Sequence, residues 1–206
     1  MPQRHLVNRR VTAVQRFTAV DGAEAVENGL RDYVRYREGL RGFDGGITLQ
    51  LFGRRGAYLR LDQWQGMDAL LRSTHDENFL PHLASVASLA DAEHELAVSV
   101  GRMPAAAPIG EAARLVLVRA VVESEPARFE MDFGALVGSC VTAGGYGGSD
   151  LLRSVTDPRA YTGVLWWQDP ESYKRVLTTA GYLDRRTKLT GTARITELHA
   201  RPLENA

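Results

Sequence analysis

The chain has 206 residues with a formal net charge of zero, 44% of them hydrophobic and 24% charged, which suits either one large globular domain or two of about 100 residues each. Neutrality argues against a nucleic-acid partner. No apolar run reaches the roughly 18 residues of a membrane span, and no secretory h-region follows the N-terminus, so the expected location is the cytoplasm. The single cysteine, Cys140, excludes an internal disulfide and a cysteine-based zinc site. It falls in an apolar helical stretch and reads as a buried structural thiol. The only lysines are Lys174 and Lys188, so almost all positive charge is arginine.

In chain order, Val11 to Ala19 alternates as a strand, Asp21-Gly22 turns, and Ala23 to Arg41 carries Val26, Leu30, Tyr33, Val34 and Leu40 at near-helical spacing. Gly42 stops that helix. Ile47 to Phe52 and Ala57 to Trp64 form a hairpin across Gly53-Arg54-Arg55-Gly56. Met67 to about Leu89 is helical with a break expected near Pro81, and Glu93 to Gly101 alternates again. A small, proline-bearing segment, 104–112, is the expected linker between a first domain, 1–103, and a second, 113–206. The second half repeats the order: strand Leu115 to Val122, a helix from Glu125-Pro126 to about Ala143, a break at Gly144 to Gly148, strands Asp150 to Val155 and Tyr161 to Gln168, a helix from Pro170, and a last strand Thr192 to Ala200.

The order recurs because the sequence does. Ala57-Tyr58 through Trp64-Gln65 aligns with Ala160-Tyr161 through Trp167-Gln168, and Phe79-Leu80 with Tyr182-Leu183, all 103 residues apart. The glycines align one residue less, Gly42 over Gly144 and Gly45-Gly46 over Gly147-Gly148. The expected fold is therefore α+β: two tandem ferredoxin-like βαββαβ halves, whose uncovered sheet faces would cover each other as an intramolecular dimeric α/β barrel.

Equal parity along a strand puts Tyr58, Arg60, Asp62 and Trp64 on one face and Leu59 and Leu61 on the other. Such a face is either a ligand-facing wall or a polar edge with an Arg60–Asp62 pair partly solvated. In the second copy it becomes Tyr161, Gly163, Leu165 and Trp167, so the charges vanish and the aromatics remain. The polar site is expected in the first half. His75 is a candidate base or a surface histidine, and Tyr33 and Tyr36 share a helix face that would roof a pocket or pack the core. His82 and His94 read more strongly than His75 as surface histidines. No histidine pair with an acid partner has metal spacing, so no metal is expected.

The stretch Asp62-Gln63-Trp64-Gln65-Gly66-Met67-Asp68-Ala69-Leu70-Leu71-Arg72-Ser73-Thr74-His75-Asp76-Glu77-Asn78-Phe79 resembles the antibiotic biosynthesis monooxygenase family, and the resemblance extends over both halves. It implies small ferredoxin-like units pairing into α+β barrels. It also implies that Trp64 and Trp167 stand where oxygenase members carry a pocket tryptophan. The haem-degrading pattern fits poorly: the second helix has no tryptophan, and His82 falls three residues after Phe79 rather than four. The expectation is thus a cofactor-free monooxygenase that oxidises a polycyclic phenolic or anthrone-type polyketide intermediate with O2. His75, Arg60, Asp62 and Trp64 would form the catalytic set; Tyr58, Phe79, Tyr33, Tyr36, Trp167 and Tyr161 would bind substrate. A polyketide cyclase or isomerase, or a non-catalytic ligand-binding protein, is the alternative, and a homodimer of the fused pair stays open.

Overall fold

A computed structural model describes residues 10–20, 22–142 and 144–203; Asp21 of the expected turn and Ala143 of the expected helix end lie outside them. The chain divides into two compact units, Met1–Val98 with Leu203–Ala206, and Ser99–Pro202. The unit boundary thus falls inside a strand, and the segment 104–112 belongs to the second unit.

The first unit contains β1 (Val11–Ala19), α1 (Ala23–Glu38), β2 (Phe43–Leu51), β3 (Ala57–Trp64), α2 (Met67–Thr74), α3 (Phe79–Ala87) and the start of β4 (Ala90–Met103). The strands pair antiparallel in the order β4–β1–β3–β2. Helix α1 buries Val26, Leu30, Tyr33, Val34 and Arg37, a stripe at the i, i+4, i+7, i+8, i+11 positions of one face. Four of those five suit a core; the arginine does not. Phe17, Val26, Leu30, Tyr33, Tyr58 and Val86 form one apolar cluster between the sheet and α1 and α3. The second helical stretch does not break at Pro81. It breaks at 75–78, and Pro81 is the third residue of α3, in the first turn, where its missing N–H has no intrahelical acceptor to lose.

The second unit repeats the plan with β5 (Arg114–Val122), α4 (Pro126–Val141), β6 (Tyr146–Ser154), β7 (Ala160–Trp167), α5 (Pro170–Leu177), α6 (Ala180–Thr190) and β8 (Ala193–Pro202). Its strands are antiparallel in the order β8–β5–β7–β6. Before β5 the connecting segment is tied down: the Ala106 and Ala107 amides donate to the Gly147 carbonyl, and Trp166 Nε1 donates to the Ala107 carbonyl at 2.9 Å. Each unit is thus a four-stranded antiparallel sheet with helices on one face, and the protein is α+β with two βαββαβ halves. Among the described residues no helix is long and apolar enough to cross a membrane.

Glycines expected to break the chain instead lie at strand starts. Bulges between Phe43 and Gly45 and between Tyr146 and Gly148 let β2 and β6 begin four residues earlier than hydropathy alone suggests, because an unpaired extra residue hides the alternation. The geometry also corrects the glycine alignment. Gly42 and Gly145, at φ 89° and 69°, accept from the Gln65 and Gln168 amides at 2.9 and 3.0 Å, so the 103-residue spacing holds there too. It holds as well for Tyr58 Oη donating to Glu27 at 2.6 Å and Tyr161 Oη donating to Glu130 at 2.7 Å.

Candidate active site in the first unit

Register builds the site. Across the helix-covered face of the first sheet, His94, Gln15, Arg60 and Thr48 stand side by side on β4, β1, β3 and β2. The next row is Leu96, Ala13, Asp62 and Gly46, and beyond it Val98 and Val11 lead to Trp64 and Phe43. Arg37 comes down from α1. Arg37, Arg60 and Asp62 are 3%, 1% and 0% exposed, so the solvated-pair reading of Arg60 and Asp62 does not hold.

Arg60 Nη1 donates to Thr48 Oγ1 at 2.9 Å, and Arg60 Nη2 lies 2.7 Å from Asp62 Oδ1. Gly46 makes this pair possible. A Cβ there would lie 2.4 Å from Asp62 Oδ1 and 2.7 Å from Arg60 Nη2. Arg37 Nη2 donates to Tyr33 Oη, and the Arg37 guanidinium lies 4.7, 5.2 and 5.8 Å from the ring centres of Tyr33, Trp64 and Phe79. Gln15 Nε2 donates to Tyr33 Oη at 3.2 Å and lies 3.1 Å from His94 Nδ1.

This set is not satisfied by itself. Arg37 Nε and Nη1, Arg60 Nε and Nη2, both Asp62 oxygens, Gln15 Oε1 and Trp64 Nε1 are buried with no aligned hydrogen-bond partner. Burying a polar group unpaired costs about 1–3 kcal/mol, more for a charge, so this concentration of orphaned atoms on one wall marks it as the candidate site of the first unit. Two guanidinium groups face one carboxylate. Burial pushes the Asp62 carboxyl above its ordinary range, against the pull of Arg60 and Arg37. Burial and then the Arg37 charge push the His94 imidazole down, so the positive excess of the centre comes from two guanidinium groups against one carboxyl, an arrangement suited to an oxyanion.

Of the expected residues, Arg60, Asp62, Trp64 and Tyr33 come together, with Phe79 at the rim over Arg37. Tyr58 is buried on the same face, but its hydroxyl is committed to Glu27, and burial followed by that bond pushes its pKa up. It is a tie between β3 and α1. Tyr36 donates to Asp76 at 3.0 Å and stacks on His82 at 4.3 Å, with its hydroxyl pushed up to about 12 by burial and then by Asp76. It links α1 to the 75–78 turn rather than roofing the site. His75 caps the end of α2 in an exposed position and is not brought to the set, so the geometry gives it no partner for base chemistry there. Arg37, Gln15, Thr48 and His94 were missed. Parity with Phe17 and Ala13 marks Gln15, and a four-residue step from Tyr33 marks Arg37.

Trp167 and Tyr161 belong to the second unit's core. There most of the positions 103 residues on are apolar: Val118 for Gln15, Leu136 for Tyr33, Cys140 for Arg37, Leu151 for Thr48, Gly163 for Arg60 and Leu165 for Asp62, while His94 is matched by Glu197, which pairs with Arg186 at 2.9 Å. The Phe133 ring fills the space over Gly163, where a Cβ would meet it at 2.4 Å. The Cys140 thiol is buried as expected and pushed up to about 12 by that burial. Among the described residues no three His, Cys, Asp or Glu side chains gather as a metal site.

No protein-family model and no curated protein matches the sequence. Solved structures do match in fold. A "putative monooxygenase" of Fusobacterium nucleatum superposes with a TM-score of 0.79 at 13% identity over 95% of this chain and 93% of its own. A protein described as anthrone oxidase-like gives 0.71 at 11% over 95% and 92%, and a "putative monooxygenase" of Lactobacillus acidophilus gives 0.69 at 10% over 96% and 95%. At these identities the likeness is one of fold.

Proposed function

We propose that the first unit is the active site of a cofactor-independent monooxygenase acting on an acidic polycyclic phenol or anthrone. One observation carries the reading: two buried guanidinium groups with unpaired N–H bonds surround a buried carboxyl of raised pKa, beside the faces of Trp64, Tyr33 and Phe79. The fold's occurrence in proteins described as monooxygenases and as anthrone oxidase-like supports the same reading.

The chemistry asks little of the protein. Asp62, once ionised, takes a proton from the substrate's activated CH, and the elevated pKa makes it a better base than an ordinary carboxylate. Arg60 and Arg37 hold the resulting oxyanion. Trp64 and Phe79 flank the planar ring system, and Trp64 Nε1 supplies a further donor. The electron-rich anion reduces O2 directly: a CH2 becomes C=O, losing four electrons, and O2 accepts them, placing one oxygen in the product and releasing the other as water. No external reductant enters this balance.

Oxygen uptake by metal-stripped protein with a panel of anthrones and polycyclic phenols tests the proposal. Uptake that survives chelator and is lost in Asp62→Asn and Arg37→Met is the expected result. Substrate conversion without uptake would replace it with a cyclase or isomerase using the same acid–base set. Neither signal would favour a ligand-binding protein.

A further inference from the structure

The apolar second unit has an opening of its own. An open-mouthed cleft of about 180 Å³ lies between α4, β6 and the end of β4. Val100, Met103, Phe133, Val137 and Leu151 supply most of its wall, with Arg102, Glu130 and Ser149 as polar contributors. Gly134 also faces it, and a Cβ on Gly134 would meet nothing within 4 Å. Glycine weakens a helix interior, and here no close packing demands it, so a larger side chain at this position has room to enter the cleft.

The charges around the cleft cancel in pairs. Arg102 donates to Asp150 through Nε at 2.9 Å and through Nη2, and Ser99 donates to the other Asp150 oxygen. Glu130 Oε1 receives the Tyr161 hydroxyl at 2.7 Å and lies 3.8 Å from Arg153 Nη1. That leaves Glu130 Oε2 as an acceptor held in place from the other side. The volume is close to that of cavities that hold one benzene ring, about 150 Å³, and well below the ~300 Å³ where sites for larger ligands begin.

We propose that this cleft binds a neutral, single-ring phenol, with the ring against Phe133 and Val137 and the hydroxyl donating to Glu130 Oε2. The size admits one ring, the paired charges disfavour an ion, and the fixed carboxylate asks for one donor. The proposal is independent of the chemistry assigned to the first unit.

Titrating the whole chain with phenol, toluene and benzoate by ligand-detected NMR or calorimetry tests it. Phenol is expected to bind with a dissociation constant on the order of 1 mM, as a seven-atom ligand should, and at least about tenfold more tightly than toluene or benzoate. Gly134→Leu fills the cleft while favouring the helix, so it should fold and weaken phenol at least about tenfold. Phenol binding that Gly134→Leu leaves intact would place the ligand elsewhere, the first unit included, and overturn the assignment. Equal affinity for toluene would remove the Glu130 contact, tighter binding of benzoate would remove the neutrality argument, and absence of phenol binding would end the proposal.

Discussion

The two units share a scaffold and differ in what stands over the middle of the sheet. Both tie the tyrosine of the third strand to a glutamate on the first helix, and both set an aromatic ring edge-on against the tryptophan that ends that strand, Phe43 on Trp64 at 5.2 Å and Tyr146 on Trp167 at 5.6 Å. Between those fixed points the first unit holds Arg37, Arg60 and Asp62, and the second holds Cys140, Gly163 and Leu165 with Phe133 laid over the glycine. Two cores on one backbone plan show that the fold does not require the charges. A desolvation cost that the second unit avoids is the physical argument for the site proposed in the first.

The largest expected effect comes from breaking the ion pair on one side only. Asp62→Leu, which installs the residue of the second unit, leaves two guanidinium groups buried without a carboxylate and should cost about 3–5 kcal/mol in denaturant unfolding. Arg60→Met with Asp62→Leu should cost clearly less than Asp62→Leu alone, because the pair leaves together. A double variant less stable than the single would mean the charges support the fold after all.

Two glycines sharpen the comparison next. Gly46→Ala drives a Cβ into Asp62 Oδ1, and Gly163→Ala drives one into the Phe133 ring, each at 2.4 Å. Each should lose about 1–3 kcal/mol by overpacking, although one collision is with a carboxylate and the other with an aromatic. Combining Gly46→Ala with Asp62→Leu should recover part of the first loss, and combining Gly163→Ala with Phe133→Leu part of the second. Below these come the shared ties. Tyr58→Phe and Tyr161→Phe each remove a hydrogen bond to a partly exposed carboxylate and should cost about 1.5 kcal/mol apiece, the low end for a charged acceptor; a large inequality between them would show that the equivalence is geometric only.

The duplication and its order of elements were legible because the repeated residues, Ala-Tyr and Trp-Gln with their flanking apolar positions, are those that bind each sheet to its helices. The strand starts were not, since a bulge at glycine shifts the alternation that marks a strand. The polar wall of β3 was legible from parity alone, but its partners were not. Gln15, Thr48 and His94 join Arg60 only through register across four strands, and no single strand's pattern shows register. Arg37 sits at a core position of α1, where its charge argues for solvent until Trp64 and Tyr33 are seen to cover it. His75 drew attention as a titratable side chain near a motif, yet the helix that bears it ends there and leaves it exposed.

The smallest expected effect is a pH dependence, and it separates the two titratable members of the set. The Asp62 pKa is raised in the fold, so the folded chain binds a proton more readily than the unfolded one, and stability falls as pH rises from the unfolded value, near 3.9, through the higher folded value. His94 works the other way. Its folded pKa is lowered, so the contribution is fully present above the unfolded value, near 6.5, and is lost as pH falls from there through the folded value. Within the histidine window a His94→Gln variant, which has no imidazole to protonate, should lose less stability on acidification than the parent, while Asp62→Asn, which removes a contribution of opposite sign, should not lessen that loss. In activity the order reverses. If Asp62 is the base, the acid limb of kcat/KM follows its raised pKa and lies above the ordinary carboxylate range, and His94→Gln keeps that limb. A limb that moves with His94 and not with Asp62 would transfer the base role to the histidine at the edge of the row, reached through Gln15.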